Sequence, residues 1–143
     1  MRAGASALRV ASLLAGVGIA AAATPARVTL TTSTPRPVVD QPWRFAVTVR
    51  SARGAPLPAK MRLQILLGET VVGCWTGTAM VACSGAASGT WISFRGRRTG
   101  TLTWPAESVG VRLTFQAVVV VGGRTRKVRA PVAVQPAPPP PTP

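Results

Sequence analysis

Residues 111–134 read VRLTFQAVVVVGGRTRKVRAPVAV and carry the clearest structural signal in the chain. Apolar residues alternate with others on both sides of Gly122-Gly123, and two adjacent glycines can both adopt the positive φ angles of a type I′ turn. The turn and the hydrophobic pattern agree on one register, which predicts a β-hairpin. This register pairs Ala117 with Val128, Phe115 with Ala130, Leu113 with Val132, Val118 with Lys127 and Gln116 with Arg129.

Shorter alternating stretches precede the hairpin. In residues 43–51 the side chains of Trp43, Phe45, Val47 and Val49 share one face of a predicted strand, which is typical of a strand with one buried face. Other predicted strands lie at 27–32, 61–67, 69–75 and 99–104, with weaker ones at 80–83 and 91–94, and 96–98 is expected to be a basic loop. With no helical spacing over ten residues after residue 23, the chain predicts an all-β antiparallel sandwich of about seven strands.

The two ends differ in composition from the middle. Residues 1–23 have the pattern of a secretory signal peptide, with Arg2 and Arg9 before an apolar stretch and four alanines at 20–23. An uncleaved N-terminal anchor is the alternative. Residues 24–134 are predicted to form one β-sandwich domain. Residues 135–143, QPAPPPPTP, are predicted to be a disordered Pro-rich tail.

Cys74 and Cys83 are the two cysteines of the chain. In an exported protein they are expected to form a disulfide. If they pair directly across a hairpin, Trp75 lies opposite Ala82 and residues 77–80 form a four-residue loop. Two thiols without nearby His or carboxylate ligands rarely complete a metal shell, and the spacing is not that of a C-x-x-C redox motif.

The charge of the chain is strongly positive, with 17 Lys and Arg against 3 acidic residues. Without Arg2 and Arg9 the net charge falls from +14 to +12, a value that favours anionic partners. The chain has no His, and its three acidic residues, Asp40, Glu69 and Glu107, are far apart in sequence. This composition excludes Ser-His and Cys-His nucleophile pairs and disfavours a carboxylate pair. We expect no catalytic residues, no cofactor and no metal, and thus a protein that is not an enzyme.

The stretch 100–105 (GTLTWP) followed by the hairpin resembles the closing three strands of bacterial secreted immunoglobulin-like and fibronectin-III-like modules. Residues 43–67 resemble their second and third strands. The pattern departs from antibody-type domains because both cysteines lie in the middle segment and the chain has no Tyr. The resemblance implies a spacer, an adhesion module, or a carbohydrate- or protein-binding unit.

The resemblance also implies that the third, sixth and seventh strands share a sheet. Its outward positions would then form a face for anionic ligands, since Arg suits bidentate contacts to phosphate or carboxylate. The alternative is that outward strand residues are simply polar and that edge charges prevent aggregation. The residues of this predicted face are Arg62, Arg112, Lys127 and Arg129, with Arg124 at the turn.

Trp residues offer a second kind of site. Trp43 and Trp104 fall on apolar faces and are expected in the core. Trp75 and Trp91 lie in the irregular middle and are expected to be exposed, where they could stack against sugars.

The sequence therefore predicts an extracytoplasmic, non-catalytic structural or binding module that associates with the cell envelope through its basic surface. Its partner would be an anionic wall polymer or another envelope protein. The alternative is a specific carbohydrate- or protein-recognition domain that uses exposed Trp and loops. Binding to nucleic acid is disfavoured by the predicted export, and the oligomeric state is not indicated.

Overall fold

The computed structural model describes residues 25–143, and the predicted signal peptide therefore lies outside the described residues. The described part contains nine strands and one short 3₁₀ helix, Ala106–Ser108. The strands are β1 Arg27–Thr32, β2 Trp43–Arg50, β3 Pro58–Leu67, β4 Thr70–Trp75, β5 Met80–Ala82, β6 Ile92–Arg95, β7 Arg97–Leu102, β8 Arg112–Val121 and β9 Arg124–Ala133.

The strands form two sheets in which every strand pairing is antiparallel. One sheet has the order β1-β2-β7. The other has the order β5-β4-β3-β8-β9, and β6 pairs with β3 beyond the end of β4. Side chains of both sheets meet in one core. The prediction of an all-β, two-sheet sandwich is confirmed, with nine strands where about seven were expected.

The hairpin β8–β9 has the predicted register. Ala117 pairs with Val128 and Phe115 with Ala130. Gly122 and Gly123 have φ angles of 57° and 72°, as a type I′ turn requires. Turn chemistry and hydrophobic alternation together were therefore sufficient to predict the longest strand pairing within residues 25–143.

The expectation of a basic loop at 96–98 is wrong, because Gly96 alone separates β6 from β7 and Arg97 and Arg98 already belong to β7. Gly96 has a φ of 73°, which lets the chain change from one sheet to the other within one residue. Its backbone stays paired, since its N–H donates to the carbonyl of Leu57 at 3.0 Å and its carbonyl accepts from Val49 at 2.7 Å.

The centre of the core is aromatic. Trp43 packs edge-on against Trp104 and Phe115, with ring centroids 5.3 and 5.0 Å apart. The indole N–H of Trp43 donates to the carbonyl of Thr34 at 2.7 Å, so its one polar group is satisfied. The prediction that Trp43 and Trp104 belong to the core is confirmed.

The turn between β4 and β5 is tighter than predicted. Thr76 and Ala79 face each other, with the N–H of Thr76 donating to Ala79 at 2.8 Å, and Gly77 has a φ of 107°. Trp75 therefore pairs with Met80, not with Ala82, and Cys74 lies opposite Val81. The predicted disulfide is present, with the Cα atoms of Cys74 and Cys83 5.8 Å apart. It is diagonal because Cys74 lies opposite Val81, two residues before Cys83.

The C-terminal end of the domain extends to Gln135. Its N–H donates to Pro37 at 2.7 Å and its carbonyl accepts from Val39 at 3.0 Å, whereas residues 136–143 are exposed. Gln135, which the prediction placed in the tail, is therefore hydrogen-bonded to the domain. No helix among residues 25–143 is long and apolar enough to cross a bilayer.

Gly100 provides a test of core packing. A Cβ atom at this position would overlap the ring of Phe45, whereas a Cβ at Gly73 would make ordinary contacts at 3.5 Å or more. We expect Gly100→Ala to lower the free energy of unfolding by about 1–3 kcal/mol through overpacking. Urea denaturation measures this loss, and the control Gly73→Ala should change stability by less than about 0.5 kcal/mol. Equal losses in the two variants would contradict the packing described.

The disulfide should stabilise the fold mainly by restricting the unfolded chain. Its sequence separation of 9 residues leads us to expect that Cys74→Ala with Cys83→Ala lowers the free energy of unfolding by roughly 2–3 kcal/mol. The measurement is chemical denaturation of the double variant beside the wild-type protein with and without reductant. The reduced wild-type protein should match the variant. A double variant as stable as the oxidised protein would refute this expectation.

Candidate functional site

The segment 83–91, between β5 and β6, crosses the outer face of the six-stranded sheet. Arg62 donates from its two terminal nitrogens to the carbonyls of Ala86 and Ala87, at 3.2 and 2.7 Å. The side-chain amide of Gln64 donates to Ala86 and Ser88, at 3.0 and 2.7 Å. The face that holds the predicted anionic-ligand residues is thus partly covered by the protein's own backbone.

Beneath this segment, two buried glutamines and the exposed Arg129 form a hydrogen-bonded row across β3, β8 and β9. Gln64 and Gln116 are only 1% and 3% exposed. Gln116 donates to Gln64 at 3.0 Å and accepts from the Nε of Arg129 at 2.7 Å. Both amides have donor and acceptor partners, as buried polar groups require. The row therefore supports the covering segment, and both amides are hydrogen-bonded within the protein.

Arg129 is also paired with a carboxylate. Its two terminal nitrogens donate to the two oxygens of Glu69, each at 3.0 Å. The hydrogen bond and positive charge of Arg129 hold the pKa of the Glu69 carboxyl below its ordinary 4.5. The pair therefore persists at neutral pH and is lost as the pH falls through that lowered pKa. Both groups face solvent, so the pair orients Arg129 more than it stabilises the fold.

The five residues of the predicted anionic-ligand face are divided by the structure. Arg62 and Arg129 donate to partners within the protein, although Arg129 is exposed like Lys127 and Arg112. Arg124 pairs with Val121 and lies on the same side of β9 as Val128 and Val132, opposite Lys127. The alternation of side chains along a strand explains this separation.

The expectation that Trp75 is exposed is wrong. Trp75 lies opposite Leu63 of β3, on the inner side of the sheet, and is 3% exposed. Its ring packs edge-on against Phe45 at 5.3 Å. The pairing of β3 with β4 changes register between Ile65 and Leu66, so that Val72 is an extra, unpaired residue on β4. Sequence alternation alone does not predict such a β-bulge.

Trp91 is exposed, as expected, to 40%. Lys60 and Arg62 lie over its ring, with Nζ 4.9 Å and Cζ 4.5 Å from the ring centroid. These cation–π contacts attach the end of the covering segment to β3. Part of the aromatic surface that could stack against a sugar is therefore used within the protein.

The three-stranded sheet has an outer face that sequence reasoning did not single out as a site. The pairing sets Arg27 opposite Arg50, Thr48 between Thr29 and Arg97, Ala46 between Thr31 and Thr99, and Arg44 opposite Thr101. We call these ten outward residues the Arg–Thr face. The signal in the sequence was the alternation of β2, which places arginines at both ends of its outward side.

The Arg–Thr face is shallowly concave. Its middle carries small side chains, Ala46 and threonines, and the depression above them has a volume of about 520 Å³. Arg44 and Arg97 stand at its borders. At the ten outward positions of these strands no residue is acidic or aromatic. The face therefore presents guanidinium and hydroxyl donors with no carboxylate competing for them.

The acidic residues lie elsewhere. Asp40 and Glu107 line an open, largely apolar groove of about 560 Å³ between the β4–β5 edge and the end of β7. Leu67, Val72 and Val81, three of the exposed large hydrophobic residues, line the same groove. Within residues 25–143, no group of three or more potential ligands among His, Cys, Asp and Glu could hold a metal ion.

No protein-family model matches this chain, and no curated protein matches it either. The resemblance to secreted immunoglobulin-like modules stays a prediction.

The role of Gln64 can be tested by Gln64→Leu. Loss of its amide leaves the carbonyls of Ala86 and Ser88 without this donor and breaks the row to Gln116. We expect the free energy of unfolding to fall by about 1–3 kcal/mol and amide hydrogen exchange in residues 84–90 to accelerate. The control is Thr114→Val, on the same face of β8 but outside this row. Unchanged exchange in 84–90 would show that Gln64 does not hold the segment.

Proposed function

We propose that the chain is an exported, non-catalytic binding module that associates with anionic polymers of the cell envelope through its basic surface. The single observation that carries the proposal is the lack of compensation for its positive charge. Only Arg2 and Arg9 precede residue 25, so 15 of the 17 basic residues and all three acidic ones belong to the described part. There, one salt bridge is present, between Arg129 and Glu69.

Uncompensated surface charge raises the local concentration of oppositely charged polymers and accelerates their association. The two faces of the sandwich contribute differently to this field. On the six-stranded sheet, Arg112 and Lys127 are exposed while Arg62 and Arg129 have internal partners. The Arg–Thr face carries four exposed arginines. Binding through this surface needs no deep pocket.

Export is supported by two features. Residues 1–23 have the charge and hydropathy pattern of a signal peptide, and the Cys74–Cys83 disulfide suits an oxidising compartment. A non-catalytic role is supported by the placement of the carboxylates. Glu69 is paired with Arg129, and Asp40 and Glu107 border an open apolar groove without a His or Lys partner beside them.

A second candidate function is recognition of a carbohydrate or protein through Trp91 and the loops. The exposure of the Trp91 ring favours this candidate, and the burial of Trp75 in the core weakens it. Stacking on an aromatic ring is little affected by salt, whereas contacts between exposed charges are screened. Salt therefore separates the two candidates.

The test is binding of the purified protein to isolated cell envelopes at rising salt. We expect the bound fraction to fall steeply between about 0.05 and about 0.5 M NaCl, because the Debye length shortens severalfold over that range. Trp91→Ala is the comparison variant and should bind like the wild-type protein at low salt. Binding that survives high salt and is lost in Trp91→Ala would favour the second candidate and overturn the first.

A further inference from the structure

The Arg–Thr face has the dimensions of a binding strip for a chain molecule. Arg44 and Arg50 are six residues apart on β2 and point to the same side, a span of about 20 Å at the rise of a β-strand. The face is three strands wide, which is about 10 Å. Such a long, narrow and shallow strip suits an extended polymer better than a compact ligand.

The arginines at one end of the strip are unfavourable for the isolated protein. Arg27 and Arg50 lie directly opposite each other, and like charges in this position destabilise a strand pair. Arg97 follows one row away, opposite Thr48. The polar contact that the structure provides for Arg50 is one hydrogen bond, at 3.2 Å, to the carbonyl of Gly54. An anionic ligand would remove this repulsion.

Between the arginines, the strip offers neutral donors. Thr31, Thr99 and Thr101 are exposed, and their hydroxyls border the depression together with Arg44 and Arg97. A guanidinium matches the two charged oxygens of a carboxylate or of a phosphodiester, and a hydroxyl can donate to a free lone pair of the same oxygens. A phosphodiester is tetrahedral and carries two ester oxygens beside its charged ones, so guanidinium and hydroxyl donors on neighbouring strands can approach it from different directions.

We infer that the Arg–Thr face binds a linear polyol phosphate, with the polymer lying along β2 and its phosphates at the arginines. This rests on the proposed function and assigns its site and ligand class. The assignment differs from the basic face predicted on the six-stranded sheet. Arg44 and Arg97, at the borders of the depression, are the charged contacts, and the hydroxyls of Thr99 and Thr101 are the neutral donors.

The composition of the strip disfavours other polyanions. A surface that binds membranes inserts apolar side chains, but the exposed large hydrophobic residues Leu67, Val72, Val81 and Trp91 belong to other parts of the described surface. Proteins that bind single-stranded nucleic acid stack bases on aromatic rings, and the Arg–Thr face has none. A polymer with phosphates and no bases or acyl chains fits these side chains best.

The test compares the loss of two positive charges from the Arg–Thr face with the loss of two from the six-stranded sheet. Arg44→Gln with Arg97→Gln removes two charges from the strip, and Arg112→Gln with Lys127→Gln removes two exposed charges from the six-stranded sheet. Binding of poly(glycerol phosphate) is measured by calorimetry. We expect the first variant to weaken binding by about tenfold or more, because it loses charge-assisted hydrogen bonds. The control should weaken it by less than about threefold.

A second variant keeps the charge and tests the hydroxyls. Thr99→Val with Thr101→Val preserves shape at exposed positions, and circular dichroism checks the fold of every variant. We expect binding of poly(glycerol phosphate) to weaken about threefold or more, with little change for polygalacturonate, which carries carboxylates. Unchanged affinity for the phosphate polymer would overturn the role of the hydroxyls.

The outcomes separate the site from the proposed function. Equal losses in the two charge variants would overturn the Arg–Thr face as the site while leaving a function that depends on total charge. Failure of the wild-type protein to bind any polyanion would overturn both. Tighter binding to polygalacturonate, to vesicles of phosphatidylglycerol or to single-stranded DNA than to poly(glycerol phosphate) would overturn the ligand class and leave the general affinity for anions.

Discussion

The two hydrogen bonds from the Gln64 amide to the carbonyls of Ala86 and Ser88 determine how the six-stranded sheet meets solvent. They hold the segment 83–91 against the sheet, and the disulfide to Cys74 fixes the start of that segment. Trp91, under Lys60 and Arg62, fixes its end. A buried amide without partners costs about 1–3 kcal/mol, so the segment and the row of side chains beneath it depend on one another.

Because the segment 83–91 covers part of the six-stranded sheet, the two outer faces of the sandwich differ. On the outer face of the six-stranded sheet, Arg62 donates to the protein's own backbone and Arg129 to the carboxylate of Glu69, while Arg112 and Lys127 stay exposed. On the three-stranded sheet, the arginines and threonines of the Arg–Thr face point outward without acidic neighbours. Because contacts to a flexible polymer are individually weak, several cations along one strip matter more than one deep pocket.

Much of the fold could be predicted from the sequence wherever a strand has one buried face and one face in solvent. The β8–β9 hairpin follows this rule, and Gly122-Gly123 fixed its register. Prediction failed in the middle of the chain for physical reasons. Gly77 marked a tighter turn than was assumed, and the bulge beside Val72 placed Trp75 in the core. Nothing in the pattern of 84–90, which is Gly-, Ala- and Ser-rich, showed that this segment would cover a sheet.

The candidate site was less predictable than the fold. Residue type and alternation identified outward basic residues on both sheets, but whether an arginine is free depends on contacts between residues distant in sequence. Arg62 and Ala87 are 25 residues apart, and Arg129 and Glu69 are 60 apart. Alternation gives the direction of a side chain and not its partner. This is why the predicted face and the Arg–Thr face differ.

The most direct measurement is a nuclear magnetic resonance titration of the arginine Nε–Hε signals with poly(glycerol phosphate). We expect chemical-shift changes for Arg44, Arg50 and Arg97, which lie on the Arg–Thr face. The signals of Arg62 and Arg129, which keep their internal partners, should not change. Equal chemical-shift changes for Arg62, Arg129, Arg44 and Arg97 would contradict this account. They would show that the covered face of the six-stranded sheet binds the polymer as well as the Arg–Thr face does.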